Sequence, residues 1–551
     1  AWESLESLMR ILLRAAGEWK LVMTETGQAD FSEIASRAIE SLGEEDEPSK
    51  LALRMDYRIQ HLLVDEFQDT SHSQIRLLDR LTAGWSHGDG RTLFLVGDPM
   101  QSIYRFRKAE VSLFIEAFEG RLFPHIGLEP LQLKVNFRSD RPLVEWVNQV
   151  FPTVMPEASD PVMGAVSYSE SSTRPIVSNE GGVSIRILPE RDDAEEARQV
   201  VEYIGQRDEN ERIAILVRSR KHAADILAQL DSLKEQEKRF RYQAIEFNPL
   251  ADTPLVQDLV SLTLALNQPA DRLAWLATLR APFCGLDLSD LDALAAGKTD
   301  CIILDAISAA AEEPSLQCGL SDAGLQRVCR IAPVLTDSVD RRGRESVRNL
   351  LESAWSRLGG PACARNDSEL EDAASYFDLI DALEEQGLPI DRDTLGQRMK
   401  NLYARPDALA DGNLQVMTIY AAKGLQFDTV ILPGLNRETG NDTGKLLHWF
   451  ELPGQDRIVM SLMRNSADKE KQKHSGDLIQ FISSVEKHRQ AFEDGRLLYV
   501  AATRAVRNLF LLAAIKLSAK DEIKPSTGTL LAELWPAIQA EQDAQIRAAA
   551  S

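Results

Sequence analysis

The sequence predicts an α/β fold, and three observations carry that prediction. Short apolar runs end in charged or amide side chains: Leu62-Leu63-Val64 leads into Asp65-Glu66, Thr92 to Val96 into Gly97-Asp98-Pro99, and Leu131 to Val135 into Asn136-Phe137-Arg138. Helical periodicity separates such runs, as in a layered α/β unit. From about residue 240 to residue 410 long helical spacing takes over (Leu255, Leu259, Leu262, Leu266, then Leu273, Leu276, Leu279).

Leu62-Leu63-Val64 reads as a short buried strand ending in two adjacent carboxylates, within Asp65-Glu66-Phe67-Gln68-Asp69-Thr70. In an open α/β sheet, ligands bind beyond the carboxyl ends of the strands. There an Asp can hold a metal ion, directly or through water, while a neighbouring Glu orients an attacking water. A solvated acidic turn explains the same residues, so the rest of the chain must decide. The second run is followed by Gln101, Tyr104, Arg105, Phe106 and Arg107. An amide at a strand end can bond a phosphate oxygen and a second group. Tyr104 and Phe106 either offer flat faces to unstacked bases or belong to the core. The third run is a strand that delivers Arg138, and Asp140-Arg141-Pro142 opens a helix. Far downstream, Met417 to Phe427 carries Lys423, Gly424 and Gln426, and Arg496 to Ala505 carries Arg504. Arginines converging from separate segments on one phosphate chain would stabilise transition-state charge.

In this order the segments resemble the motifs of superfamily 1 DNA helicases of the UvrD/Rep type, closest to the helicase region of RecB/AddA-type ATP-dependent exonuclease subunits. DEFQDT resembles motif II, GDPMQSIYRFR motif III, NFRS motif IV, TIYAAKGLQF motif V and RLLYVAATRA motif VI. Ile213 to Arg220 resembles the strand between motifs IV and V, and the resemblance covers roughly residues 30 to 515. It implies RecA-like P-loop NTPase motor domains, the first incomplete, with a largely helical insertion domain. It implies that Asp65 holds Mg²⁺, that Glu66 is the catalytic carboxylate and that Gln101 senses the γ-phosphate. Arg138 and Arg504 become the arginine pair on that phosphate, and Gln426 and Gly424 lie by the nucleotide. Tyr104, Phe106, Tyr420 and Lys423 fall on the DNA side, Lys423 and Gly424 in the loop that links the two. The implied cofactors are ATP and Mg²⁺. The implied partners are single-stranded and duplex DNA, with a nuclease or helicase subunit beside them.

The chain departs from the family pattern in several places. The phosphate-binding loop G-x-x-x-x-G-K-[ST], whose backbone N–H groups and Lys cradle phosphates, has no match in residues 1–60. Gly297-Lys298-Thr299 has Asp292 where the first Gly belongs, and Gly440 to Leu446 has one residue too few between its glycines and ends in Leu. Both are rejected. The chain begins in an apparent amphipathic helix (Trp2, Leu5, Leu8, Met9, Leu12, Leu13) without a starting Met, so it is expected to be a fragment of a longer protein. Tyr420 stands where the family has His, Gln426 where it has Glu, Lys108 where it has Gly and Phe106 where many relatives have Trp. The nuclease signature of the RecB type is missing.

The net charge of −23 over 551 residues argues against binding DNA by bulk attraction, because non-specific affinity comes from Lys and Arg on phosphates. A local basic track remains compatible with it. No run approaches the ~18 apolar residues of a membrane span. Cys284, Cys301, Cys318, Cys329 and Cys363 form no C-x-x-C pair and read as reduced thiols of a cytoplasmic protein. The eight histidines form no ligand cluster, so no structural metal is expected.

The expected division is residues 1–140 for the later part of the first motor domain, 141–240 and 411–515 for the two segments of the second, 241–410 for the helical insertion, and 516–551 for a tail with a short helix from Leu530 to Ile546. Residues 153–182 read as a surface connection and 463–490 as an exposed helix leading into Arg496. The expected function is an ATP-dependent 3′→5′ DNA helicase or translocase in recombination and repair, with this chain inactive alone. The alternative is a non-hydrolysing DNA-binding or scaffold subunit of a helicase–nuclease complex. A phosphate loop in the upstream reading frame would favour the first.

Overall fold

Two of the apolar runs meet as a parallel ribbon. His61–Val64 pairs with Thr92–Leu95, Leu62 opposite Leu93 and Val64 opposite Leu95. The computed structural model describes residues 2–27, 29–44, 47–174, 180–189, 192–234, 236–295, 301–313, 319–407, 409–438, 447–452, 457–462, 472–515 and 524–550. Both rejected glycine–lysine segments, 297–299 and 440–446, lie outside these residues. The first strand is not buried as its composition suggests. Exposure alternates along both strands, and Leu63 and Phe94 are 70% and 55% exposed. Successive side chains point to opposite faces, and only one face is covered. Val64, Leu93 and Leu95 pack against Phe67, Ile75, Leu113 and Phe123. The other face, carrying Leu63 and Phe94, is left largely exposed among the described residues.

The helices around this ribbon follow local rules. Phe31–Leu42 is capped by Asp30, which accepts from the Glu33 N–H, and Lys50–Arg58 by Ser49, which accepts from Ala52. The periodic run at the start forms the helix Trp2–Thr26, but Met9, Leu12, Leu13 and Trp19 are exposed on it. The third run is mostly not a strand. Only Val135–Asn136 pairs, with Ser172–Thr173, while Leu131 and Leu133 are exposed. A two-residue partner cannot hold a longer ladder. Arg141–Val154 then begins at Asp140, with Pro142 in its first turn, where no N–H is needed.

The second sheet carries four parallel strands in the order Gly182–Leu188, Ala505–Ala514, Phe427–Leu432 and Ile213–Val217. Parallel strands covered on both faces read as continuous apolar runs, and every residue of Ile213–Val217 is buried. Tyr203 stacks flat on Phe510 at 4.2 Å. The stretch expected as an exposed helix is longer and better buried than its polarity suggests. Gln472–Ala502 is one helix, with Ile482, Val485 and the whole turn from Glu493 to Leu498 buried. Ile482 and Val485 pack on Phe450. Residues 463–471 lie outside the described set. Leu530–Ala550 is a helix anchored by Leu531, Leu534 and Ile538.

The chain divides into two units, 1–203 with 213–226 and 418–551, and 204–212 with 227–417. The second is mainly helical, its core built round Trp275 and Tyr376, whose hydroxyl meets Thr263 Oγ1 at 2.9 Å. Within it Gln243–Ala244 pairs in parallel with Gln415–Val416. Burial raises the Asp258 carboxyl to about 6, against the opposing pull of Arg280. An acid whose folded value lies above its unfolded one favours folding below the unfolded value and loses that contribution as pH rises through the folded one. Asp258→Asn is therefore expected to add about 1–2 kcal/mol of stability at pH 7, allowing for partial exposure, and almost nothing below pH 4. Urea midpoints of this unit at the two pH values would show it.

Candidate functional site

All the sequence-predicted site residues lie in the first unit. The ends of the ribbon strands are locked together, Val96 N–H donating to Val64 O and Phe67 N–H to Val96 O, both at 2.9 Å. Asp65 sits at the strand end, exposed, accepting only from the Glu66 N–H among the described residues (2.9 Å). Glu66 is left-handed at φ 51°, ψ 40° and starts the tight turn Phe67–Asp69. That conformation costs a non-glycine residue roughly 1–2 kcal/mol, and such strain gathers at functional sites. Phe67, fully buried, anchors the turn. Gln68 joins both acidic loops: its Oε1 accepts from Asp98 N–H at 3.0 Å and its Nε2 donates to Glu66 Oε2. The approach needs Gly97, because a Cβ there would overlap the Gln68 carboxamide.

Gln101 is reached through Asp98, which caps Pro99–Gln101 and accepts from the Gln101 Nε2 at 2.8 Å. The Gln101 Oε1 accepts from Arg504 at 3.1 Å. Arg504 is almost wholly buried and donates also to Val500 O (3.1 Å) and Leu425 O (3.2 Å). Arg138 donates to Thr503 O at 3.1 Å and to Gln426 Oε1 at 3.3 Å. The structure thus brings Gln101, Arg138, Arg504 and Gln426 into one cluster, held by the Val500 and Thr503 carbonyls at the end of the long helix and by the Leu425 carbonyl in the loop before Phe427–Leu432. Burial, and next the Arg138 charge, lower Arg504 to about 10. Burial also lowers Arg138.

A second cluster lies on the other side of the acidic turn. Tyr104, Phe106 and Tyr420 meet at centroid distances of 5.4 to 6.4 Å, and the Tyr104 hydroxyl donates to Tyr420 O at 3.2 Å. Phe106 is 64% exposed. Arg107 lies over the Tyr104 and Phe106 rings at 5.1 and 5.5 Å. Lys108, where the family has Gly, adopts φ 66°, a backbone region that Gly enters without steric cost. Gly424, at φ 83°, turns the loop after Lys423. Lys423 is not offered to solvent: its ammonium pairs with Asp69 and, at 3.3 Å, with Glu66, and lies 5.0 Å from the Tyr104 centroid.

Sequence reasoning missed a third group, on the long helix. Arg105 bonds Glu493 through its Nε (3.2 Å) and Gln490 through a terminal nitrogen (2.8 Å). Arg496, buried, donates to Ser102 O and Gly164 O at 2.8 and 2.9 Å, and burial lowers it to about 10. Arg218 clasps both oxygens of Asp494 at 2.7 and 2.8 Å. The helix that ends next to Arg504 therefore also holds the segment carrying Tyr104 and Phe106. The signal available in sequence was a row of charges inside an otherwise apolar helix end.

The arrangement suits a magnesium-bound nucleoside triphosphate. Asp65 offers an exposed carboxylate at a strand end, and Mg²⁺ is commonly held by one or two carboxylates together with phosphate oxygens. Two arginines and an amide face one another where an anion would relieve their repulsion. Residues 6–120 match the UvrD/REP helicase N-terminal domain. Residues 131–313 and 375–516 match the UvrD-like helicase C-terminal domain. The chain belongs to the UvrD-like helicase family. Similar proteins include an ATP-dependent helicase/nuclease subunit of Exiguobacterium sibiricum, 27% identical over 89% of this chain and 43% of the relative. The subunits of the same name from Geobacillus kaustophilus and Streptococcus thermophilus are 25% and 24% identical, over 94% and 95% of this chain. The chain spans less than half the length of these relatives. As in its UvrD-like relatives, the architecture is mixed α/β with parallel sheets. No described helix is long and apolar enough to cross a membrane.

Proposed function

We propose that this chain is the motor part of an ATP-dependent DNA translocase of the same kind as these helicase/nuclease subunits, moving 3′→5′ on single-stranded DNA in recombination and repair. The observation that carries the reading is the junction at Arg504. One buried arginine touches Gln101, neighbours Arg138, and continues the helix that holds the aromatic segment. In this reading residues 1–140 belong to the first motor domain, 141–240 and 411–515 to the second, 241–410 to the insertion and 516–551 to the tail. Further proposed partners are duplex DNA and a nuclease or helicase subunit.

Magnesium-bound ATP supplies the phosphoanhydride bond whose hydrolysis drives movement. Asp65 is the metal-side carboxylate, and Glu66 accepts the proton of a water oriented at its oxygens. Arg138 and Arg504 stabilise charge on the transferred phosphoryl group, and Gln101 reports its presence to the segment that leads to Tyr104. Gln426 positions Arg138, and Gly424 gives the loop its turn. Tyr104, Phe106 and Tyr420 form the platform for bases, and Lys423 the nearby cation.

ATP hydrolysis with and without single-stranded DNA tests the reading. DNA-stimulated turnover supports a motor, and DNA binding without turnover in the full-length polypeptide supports the scaffold reading instead. Absence of both ends the proposal. A Glu66→Gln change in the full-length polypeptide is expected to abolish turnover and keep ATP binding. Phe106→Ala is expected to weaken binding of a single-stranded oligonucleotide by roughly 1–3 kcal/mol, the usual worth of a base–aromatic stack. Fluorescence anisotropy would detect the change, and an unaltered affinity would remove Phe106 from the platform.

A further inference from the structure

Lys423 has more to do than wait for DNA. Its side chain is 7% exposed, and its ammonium is shared between Asp69 and Glu66, with the Tyr104 ring as a third neighbour. The two carboxylates are not alike. Asp69 is largely buried, 16% exposed, and its second oxygen is buried without a partner among the described residues. Glu66 is 54% exposed, at the longer separation of 3.3 Å, and also accepts from Gln68. An ammonium has three donors on a flexible stem. The buried arm to Asp69 resists separation, because it would leave an uncompensated charge inside the protein. The solvent-facing arm to Glu66 is the one that competes with another anion at little cost.

We propose that Lys423 is a two-position clamp: it restrains Glu66 until a phosphate of the bound strand takes over that arm, while Asp69 keeps the lysine in place. The inference rests on the functional reading above and deepens it by naming the contact through which the strand reaches the catalytic carboxylate. The platform geometry supports it. Tyr104 covers Lys423, and Phe106 stands edge-on to both Tyr104 and Tyr420. Tyr104 is thus the neighbour that Phe106 and Lys423 share, and in the clamp the phosphate of a base seated on Phe106 is the one that takes the Glu66 arm. Binding linkage is reciprocal, so whatever releases Glu66 from Lys423 must also strengthen the strand's hold.

The test reads binding and needs no turnover. The probe is a fluorescent oligothymidylate titrated over a range of salt. In the otherwise native protein, Glu66→Gln is expected to tighten binding several-fold at each salt concentration, because the phosphate no longer has to displace the carboxylate, while the slope of log K against log salt, set by the number of phosphates neutralised, stays the same. In a Lys423→Gln/Asp69→Asn background, which removes the buried pair together and so avoids an orphaned charge, Glu66→Gln is expected to change nothing. No gain in the native background overturns the clamp. The same gain in both backgrounds also overturns it, since it would then be simple loss of a negative charge. Failure of the native protein to bind the probe at all would instead sink the functional reading, and the clamp with it.

Discussion

Asp494→Ala is expected to destabilise the first unit by about 3–5 kcal/mol, the usual cost of removing one partner of a buried ion pair. Arg218 and Asp494 have side chains 7% and 3% exposed. The guanidinium meets both carboxylate oxygens, and its other terminal nitrogen donates to Gly528 O at 2.9 Å. Gln490 donates to the same carboxylate at 2.9 Å. Without Asp494 a full positive charge stays buried, with the Gly528 carbonyl but no carboxylate in ion-pair contact among the described residues. Arg218→Met combined with Asp494→Leu removes both charges and keeps the volume, so most of the loss is expected to return. Hydrogen exchange of the Ile213–Val217 amides, which open only when this sheet opens, reads the effect. A single-variant loss below 1 kcal/mol would show that water reaches the pair.

This pair also shows where sequence reasoning stops. Arg218 closes an apolar strand and Asp494 lies in a charged helix 276 positions away, and nothing local says that they meet. The short strands were legible from apolar runs that end in a turn residue or a cation, and the convergence of Gln101, Arg138 and Arg504 was expected from the motifs that carry them; the order of the strands in the sheet was not. Burial was legible only where neighbours were. Ile213–Val217 reads as a strand and is one, buried at every residue and paired in parallel. Leu62-Leu63-Val64 has the same composition, yet Leu63 stands 70% exposed, because a strand's burial belongs to whatever covers it. Leu131 to Lys134 fails for a related reason: apolar residues make a strand only where a partner edge runs alongside. Lys423 was read as a DNA contact from its motif, and its carboxylate partner Asp69, 354 positions earlier, was invisible at that level.

Arg504→Ala is expected to lower DNA-stimulated ATP turnover of the full-length polypeptide by about 10³-fold or more, the range found for arginines that stabilise phosphoryl transfer. Its position is set before any ligand arrives. Val500 O, Leu425 O and Gln101 Oε1 hold three sides of the guanidinium, so no reorganisation is needed at the moment of reaction. Lowered to about 10 by burial and Arg138, it is still charged at neutral pH. Two cations held so close in a buried cluster repel one another in the empty protein, and a phosphoryl group gathering charge removes that repulsion. The gain is therefore largest in the transition state, which predicts a fall in kcat with little change in KM. Arg504→Lys is expected to restore little, because an ammonium cannot keep the carbonyl bonds and reach Gln101 in one geometry. Nucleotide binding measured beside turnover separates this from a folding defect. A variant that binds ATP normally and turns it over within tenfold of the parent would place Arg504 among the structural arginines, with Arg496.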